Sequence, residues 1–459
     1  MVESFPSAPL QHHSCSRRSL LEIGTAGTLG LSLPQLLAAR SIDSSSRDLP
    51  YFGKARSCIV VFLFGGPSQQ DLWDLKPETS SDIRGEFSPI DTVVPGMQIG
   101  ELLPHLAQEA DHFSLIRSMS HRDFEHGSAS YSALTGQPHP RPGTNTPARP
   151  EDFPTYGSVV SKLRPTSRPS PNFVVLGPVM HQGNRPPMAG QNAGFLGSSH
   201  EPFRIAENPN LSSFEVRSLA PAEAVSTGRF RRRQQLLSQI DPHAYQQSGS
   251  ASQEGMSKLY ERAFSLLYAS QTQQAFDLDQ ESRAIREQYG RHQFGQTLLL
   301  ARRLVEAEVP LITVNWSRQN RDQWDTHLNH HPKLRELLPP FDKGVSGLIE
   351  DLNSRGLLET TLVVCLGEFG RTPRINKDAG RDHWPDCYSL LITGGGIAPG
   401  QVYGTSDRFA AYPAERPVAP WDLAATVYHC LGIDPHQTLT DPVDRPIQIA
   451  QGNVVRGLL

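Results

Sequence analysis

Ser57-Cys58-Ile59-Val60-Val61-Phe62-Leu63-Phe64 is an unbroken β-prone, mostly apolar run that stops at Gly65-Gly66-Pro67-Ser68. A strand with one face in water alternates polar and apolar residues. This run has no polar face, so both of its faces must be covered. Strands of that kind belong to parallel sheets clad in helices, and ligands gather beyond their carboxyl ends. Working outward, the same unit recurs. Leu311-Ile312-Thr313-Val314-Asn315-Trp316 follows a helix expected around Phe294 to Glu308. Thr361-Leu362-Val363-Val364-Cys365-Leu366 follows one expected from Lys333 to Arg355. Shorter strands are expected at Asn172 to Leu176 and Tyr388 to Thr393. The alternation predicts an α/β fold, a three-layer sandwich with a mostly parallel central sheet, occupying residues 57–459.

Within that domain the segment from about 205 to 290 is rich in Gln, Ser, Arg and Ala. Its helical periodicity from Met256 to Phe276 predicts a helical insertion, on which Phe230-Arg231-Arg232-Arg233 reads as a solvated face. The Pro-rich stretch from Gln137 to Pro154 reads as a surface loop. Ahead of the domain, residues 40–56 form a polar linker. Residues 1–39 read as an export signal: Ser16-Arg17-Arg18-Ser19-Leu20-Leu21 precedes a weakly apolar stretch that ends near Ala38-Ala39. Glu22, Pro34 and the interspersed Gly and Ser make that stretch too polar for a stable membrane span. The expected partner is therefore the twin-arginine export machinery, and the expected location is periplasmic or extracellular.

The chain has 459 residues, ample for a large core without disulfide help. With 43 Lys and Arg against 47 Asp and Glu, it offers no global positive field to draw in nucleic acid. Cys15 leaves with the signal. Cys58, Cys365, Cys387 and Cys430 are far apart and show no CxxC spacing, so neither a disulfide framework nor a zinc knuckle is expected.

Acidic residues and histidines collect after the expected strands. Asp71 follows the Gly-Pro turn, with Asp74 close behind it. His126 opens a short helix that ends at Thr135-Gly136. Asp325 and His327 stand two residues apart beyond Trp316, with His330 and His331 at the start of the next helix. Glu368 and Arg371 share Gly367-Glu368-Phe369-Gly370-Arg371, and Asp382-His383 precedes the last strand. Carboxylates and imidazoles brought together at one sheet edge are costly unless a cation joins them. The expected metal ligands are Asp71, Asp325, His327, Glu368, Asp382 and His383, holding a divalent metal such as zinc, manganese or calcium. His126 is the expected base or nucleophile. Arg371 and the helix start near Gly127 are expected to hold an anion, with a Glu368–arginine salt bridge as the structural alternative.

The stretches FGGPSQQDLWDLKP, HGSASYSALTG, DQWDTH, LGEFGRTPRIN and GRDHWPDCYSLLITGGGI, with the twin-arginine start, together resemble the domain-of-unknown-function 1501 family over nearly the whole chain after the signal. That resemblance implies exported bacterial proteins related to alkaline phosphatases and sulfatases. Carried over, the superfamily's metal-binding and nucleophile positions fall near Asp71, His126, Asp325 with His327, Glu368 with Phe369, and His383. Two positions depart from the pattern. His126 replaces a hydroxyl or thiol nucleophile, and Phe369 replaces a histidine ligand. The CxPxR context of a formylglycine sulfatase is missing near His126.

The leading expectation is a metal-dependent hydrolase of phosphate or sulfate esters, its substrate an anionic small molecule or polysaccharide. The alternative is a non-catalytic extracellular binding or surface-assembly protein that keeps the fold and a structural metal. Gly394-Gly395-Gly396 does not make a dinucleotide site, because no GxGxxG follows the first strand.

Overall fold

The computed structural model describes residues 50–166, 170–216, 232, 274–317 and 323–459. The expected signal with Arg17 and Arg18, Asp322, and residues 217–273 of the expected insertion, except Arg232, lie outside the described residues.

Eight strands form the main sheet: β1 (Ser57–Phe62), β2 (Ser114–Met119), β3 (Phe173–Leu176), β4 (Phe203–Ile205), β5 (Leu311–Asn315), β6 (Thr361–Leu366), β7 (Tyr388–Thr393) and β8 (Val402–Tyr403). Their order is β8-β2-β7-β6-β1-β5-β3-β4. The opening run lies at the centre, as its apolarity on both faces requires. It runs parallel to β5, with Val60 opposite Thr313, and to β6, with Val60 opposite Val364. The pairs β5–β3, β3–β4 and β2–β8 are also parallel, and β7 alone runs against its neighbours β6 and β2.

Side chains of β1 alternate between two separate cores. Ile59, Val61 and Leu63 pack with helices α4 (Gln293–Glu306) and α5 (His330–Ser354). Cys58, Val60, Phe62 and Phe64 pack with α2 (His126–Thr135), α3 (Tyr156–Leu163) and α6 (Pro420–Cys430). The remaining short helix needed below is α1 (Gln69–Leu72). Fully burying each large apolar side chain contributes roughly 1.5–3 kcal/mol, so β1 alone commits the sheet to two covered faces. All four described cysteines are free and buried. No helix among the described residues is long and apolar enough to cross a membrane.

This topology sets the site. Parallel strands β1, β5, β6 and β2 deliver the residues after their carboxyl ends to one edge, and antiparallel β7 delivers the residues before its start to the same edge. Residues 65, 325, 368, 126 and 383 therefore meet.

Candidate metal centre

Asp325 is the hub. Its Oδ1 lies 2.6 Å from Arg371 Nη2, 3.0 Å from His327 Nε2 and 3.2 Å from His383 Nε2, and its Oδ2 is 3.4 Å from His126 Nε2. Each of the three imidazoles has its other nitrogen tied to an oxygen that can only accept. His126 Nδ1 donates to Glu368 Oε1 at 2.5 Å, His327 Nδ1 to Asp382 Oδ1 at 2.7 Å, and His383 Nδ1 to the Phe124 carbonyl at 2.6 Å. When a ring is neutral this selects its Nδ1–H tautomer, and all three Nε2 atoms are turned toward Asp325. Oxygen-held outer nitrogens are the usual support of metal-binding histidines.

The inward arrangement has an electrostatic consequence. His327 Nε2 and His383 Nε2 stand 2.9 Å apart, a repulsive approach for two lone pairs unless a proton or a cation lies between them. Protonation answers part of this need. Burial opposes charge on His126, but hydrogen bonds with Asp325 and Glu368 outweigh it and raise the ring to about 9. The hydrogen bond to Asp325 raises His327, whereas burial lowers His383. Burial also disfavours the Asp325 carboxylate, yet the three histidines and Arg371 hold it far below its ordinary range. Three imidazole nitrogens and a carboxylate also suit zinc or another borderline divalent cation. His126, Asp325 and His383 have ligand atoms close enough to share one ion, with His327 beside them.

Local geometry explains why these residues converge. Gly65 has φ 115° and Gly66 φ 75°, conformations that L residues avoid. A side chain at Gly65 would run into the backbone nitrogen of Asp325, and one at Gly66 would lie 2.6 Å from the Phe369 ring. The Gly65 N–H donates to Glu368 Oε1 at 2.9 Å. His121 Nε2–H donates to the Glu368 carbonyl at 2.7 Å while its Nδ1 accepts from Asp123 N, so this ring anchors the Glu368 loop.

The expected residues thus fall into different places. Asp325, His327 and His383 come together, and His126 joins them through Nε2. Glu368 and Asp382 hold the outer nitrogens of His126 and His327, and Glu368 pairs with a histidine where an arginine was the structural alternative. Arg371 does not face an incoming anion. It is fully buried, and its guanidinium donates to the Gly65, Gly66 and Arg381 carbonyls and to Asp325. At the start of α2, Gly127 is packed against the Asn145 side chain.

Asp71 lies in a second, fully buried group. Its Oδ2 is 2.8 Å from His330 Nε2, 3.2 Å from Arg381 Nε and 2.5 Å from Ser68 Oγ, and His331 Nε2 lies 3.5 Å from Oδ1. His330 Nδ1 accepts from Thr326, and His331 Nε2 accepts the Glu86 N–H. Burial lowers His330 to about 4, a neutral ring. Arg381 stands beside Asp71, and the group ties α1 to the start of α5; Asp71, His330 and His331 also have ligand atoms close enough to share one ion, and Asp71 Oδ1 has no hydrogen-bond partner among the described residues. In the sequence His330 and His331 read chiefly as a helix start. They are that as well, but their spacing from Asp71 gave no sign of the contact.

Among solved structures the chain is similar to the phosphonate monoester hydrolase SpPMH from Silicibacter pomeroyi, at 14% identity and TM-score 0.41, over 88% of this chain and 76% of that one. It is similar to the PsFucS1 sulfatase from Pseudoalteromonas sp. at 11% identity and TM-score 0.35, over 86% and 70%. It is also similar to the periplasmic domain of EcEptC from Escherichia coli, in complex with Zn, at 11% identity and TM-score 0.36, over 89% and 91%. Likenesses this distant say nothing of what the chain does. Nothing matches among curated proteins. The family model described as protein of unknown function (DUF1501) matches residues 55–459, and the chain belongs to that family.

Proposed function

We propose that the chain is an exported metal-dependent hydrolase of phosphate or sulfate esters on an anionic small molecule or polysaccharide. The observation that carries this reading is the set of three inward Nε2 atoms around one carboxylate, each ring fixed from behind by an oxygen. Asp325, His126, His327 and His383 would hold the cation, whose chemistry would be Lewis-acid polarisation of an ester oxygen. Glu368, Asp382 and the Phe124 carbonyl keep the rings oriented. Arg371 offsets the Asp325 charge from behind. His327 and Asp382 form the open side from which an anionic group can approach, with side chains 41% and 53% exposed.

A non-catalytic metal-holding protein is the second reading. It is favoured by Phe369, a fully buried non-ligand that packs on His126 and His383, and by Arg371 being spent on internal contacts. Elemental analysis of the exported, folded protein beside an Asp325→Ala, His327→Ala variant tests the centre. Stoichiometric metal lost in the variant, with turnover of phosphate or sulfate esters lost together with it, supports the hydrolase. Metal without turnover leaves the second reading, and metal in neither protein sinks both.

A further inference from the structure

A cavity of about 680 Å³ adjoins the exposed side of the metal centre, and Asp382 belongs to both. That carboxylate accepts from His327 Nδ1 and also lines the cavity beside Asn376, whose Nδ2 donates to the His327 carbonyl and to Asp382 Oδ1. Three aromatic residues, Trp384, Phe409 and Tyr412, line it as well, with Ile83 and Ile375. Strand geometry puts one of them there. Trp384 follows His383 on a short strand paired with Gly370–Arg371, and successive side chains leave opposite faces of a strand. His383 thus reaches Asp325 while Trp384 lines the cavity.

The aromatic wall is held in place before any ligand arrives. Trp384 Nε1 donates to the Ala411 carbonyl at 2.7 Å. Asp407 Oδ1 accepts the Phe409 and Ala411 N–H groups at 3.0 and 2.8 Å, and the Asp407 N–H donates to the Tyr412 carbonyl at 2.8 Å. This fixed loop presents Tyr412, 53% exposed, with its ring 5.7 Å from Trp384 and edge-on to it. A ring left that far in water gives the fold little and is free to cover a ligand.

The rest of the lining is hydrophilic: Ser80, Thr372, Arg374, Asn376 and Asp382 bring hydroxyl, guanidinium, amide and carboxylate groups. A flat apolar ligand would cover the rings but take water from these groups without replacing its hydrogen bonds. A pyranose has a face of C–H bonds for the rings and a rim of hydroxyls, each able to donate and to accept, for the mixed polar groups. From this we infer that the cavity seats a sugar ring of the substrate, so that the ester cleaved at the centre is carried by a glycan. The inference rests on the hydrolase reading for where the ester lies; the affinity of the cavity for sugar does not require the metal.

The test uses the full folded chain, with chelator and with zinc, and saturation-transfer NMR titrations of cellotetraose, maltotetraose, desulfated chondroitin tetrasaccharide and 4-methylphenol. At least one tetrasaccharide is expected to bind more tightly than 4-methylphenol under both conditions. Tyr412→Ala, at an exposed position where folding is not at stake, should weaken that binding about three- to tenfold and leave metal content unchanged. Binding of no tetrasaccharide, tighter binding of 4-methylphenol, or unchanged affinity in Tyr412→Ala would each overturn the sugar subsite, even if metal and ester turnover are found. Tetrasaccharide binding sensitive to Tyr412→Ala in a chain that takes up no metal would support the sugar site and sink the hydrolase reading alone.

Discussion

Metal uptake at the Asp325 centre should be coupled to the proton on His126. The ring sits at about 9, so at pH 7 only about one metal-free molecule in a hundred has the inward Nε2 available as a lone pair. A cation must displace that proton. Apparent affinity for zinc is therefore expected to rise about tenfold per pH unit from 7 toward 9 and to level off above it. That is about a hundredfold in all, or about 3 kcal/mol. His327, also raised by Asp325, adds to the slope. The same proton makes an opposite statement about the metal-free fold. A raised pKa stabilises below the unfolded value near 6.5, and that contribution is lost as pH climbs through about 9. Zinc titrations against a competing chelator from pH 6.5 to 9.5 give the slope, and calorimetry in buffers of different ionisation enthalpy counts the protons released. Glu368→Gln removes one of the two carboxylates that hold the proton and should move the levelling-off to lower pH. An affinity flat across this range, with no proton release, would refute the assignment of His126 Nε2 to the centre.

Three further changes probe the supports. Asp382→Asn leaves the site's shape but weakens the hold on His327 Nδ1; zinc affinity should fall by about 10–100-fold, read by the same competition assay. Arg371→Ala strands the Asp325 charge and three backbone carbonyls in the interior. A loss of about 3–5 kcal/mol is expected in denaturant unfolding of the metal-free protein. Gly65→Ala forces an L residue to φ 115° against the Asp325 backbone. It should cost about 2–4 kcal/mol and reduce bound metal by elemental analysis, whereas Gly143→Ala, also at positive φ but facing open space, should retain it.

The sheet was legible because burial on two faces is written directly into residue order. Apolar runs at β1, β5, β6 and β7 need no partner to be recognised, and the expected bounds at β6 and β7 coincide with the observed strands. The Asp325, His327 and Asp382-His383 motifs were legible because strand ends are where such residues gather. What spacing does not encode is direction. Nothing in Gly367-Glu368-Phe369-Gly370-Arg371 says that Glu368 turns to His126 while Arg371 turns back under β1. That choice depends on the Gly65 and Gly66 backbone and on Gln69, which exchanges hydrogen bonds with the Arg371 backbone. The partners of Asp71 were hidden for a similar reason: α1 turns it toward His330 and Arg381.

Phe369 gives the centre its asymmetry. Its ring lies 5.0 Å from His126 and 4.5 Å from His383, and Phe64 packs on His126 from another side at 5.4 Å. Together with buried Arg371 they keep water from the inner half, where low polarity strengthens every charge interaction that His126 and Glu368 make. The outer half, His327 and Asp382, remains open. A histidine in place of Phe369 would add a nitrogen inside but would also introduce a polar group against Gly66, which a phenyl edge fills without any hydrogen-bonding demand. The phenyl ring thus packs one side of the centre with apolar surface and leaves His327 and Asp382 as its more exposed face.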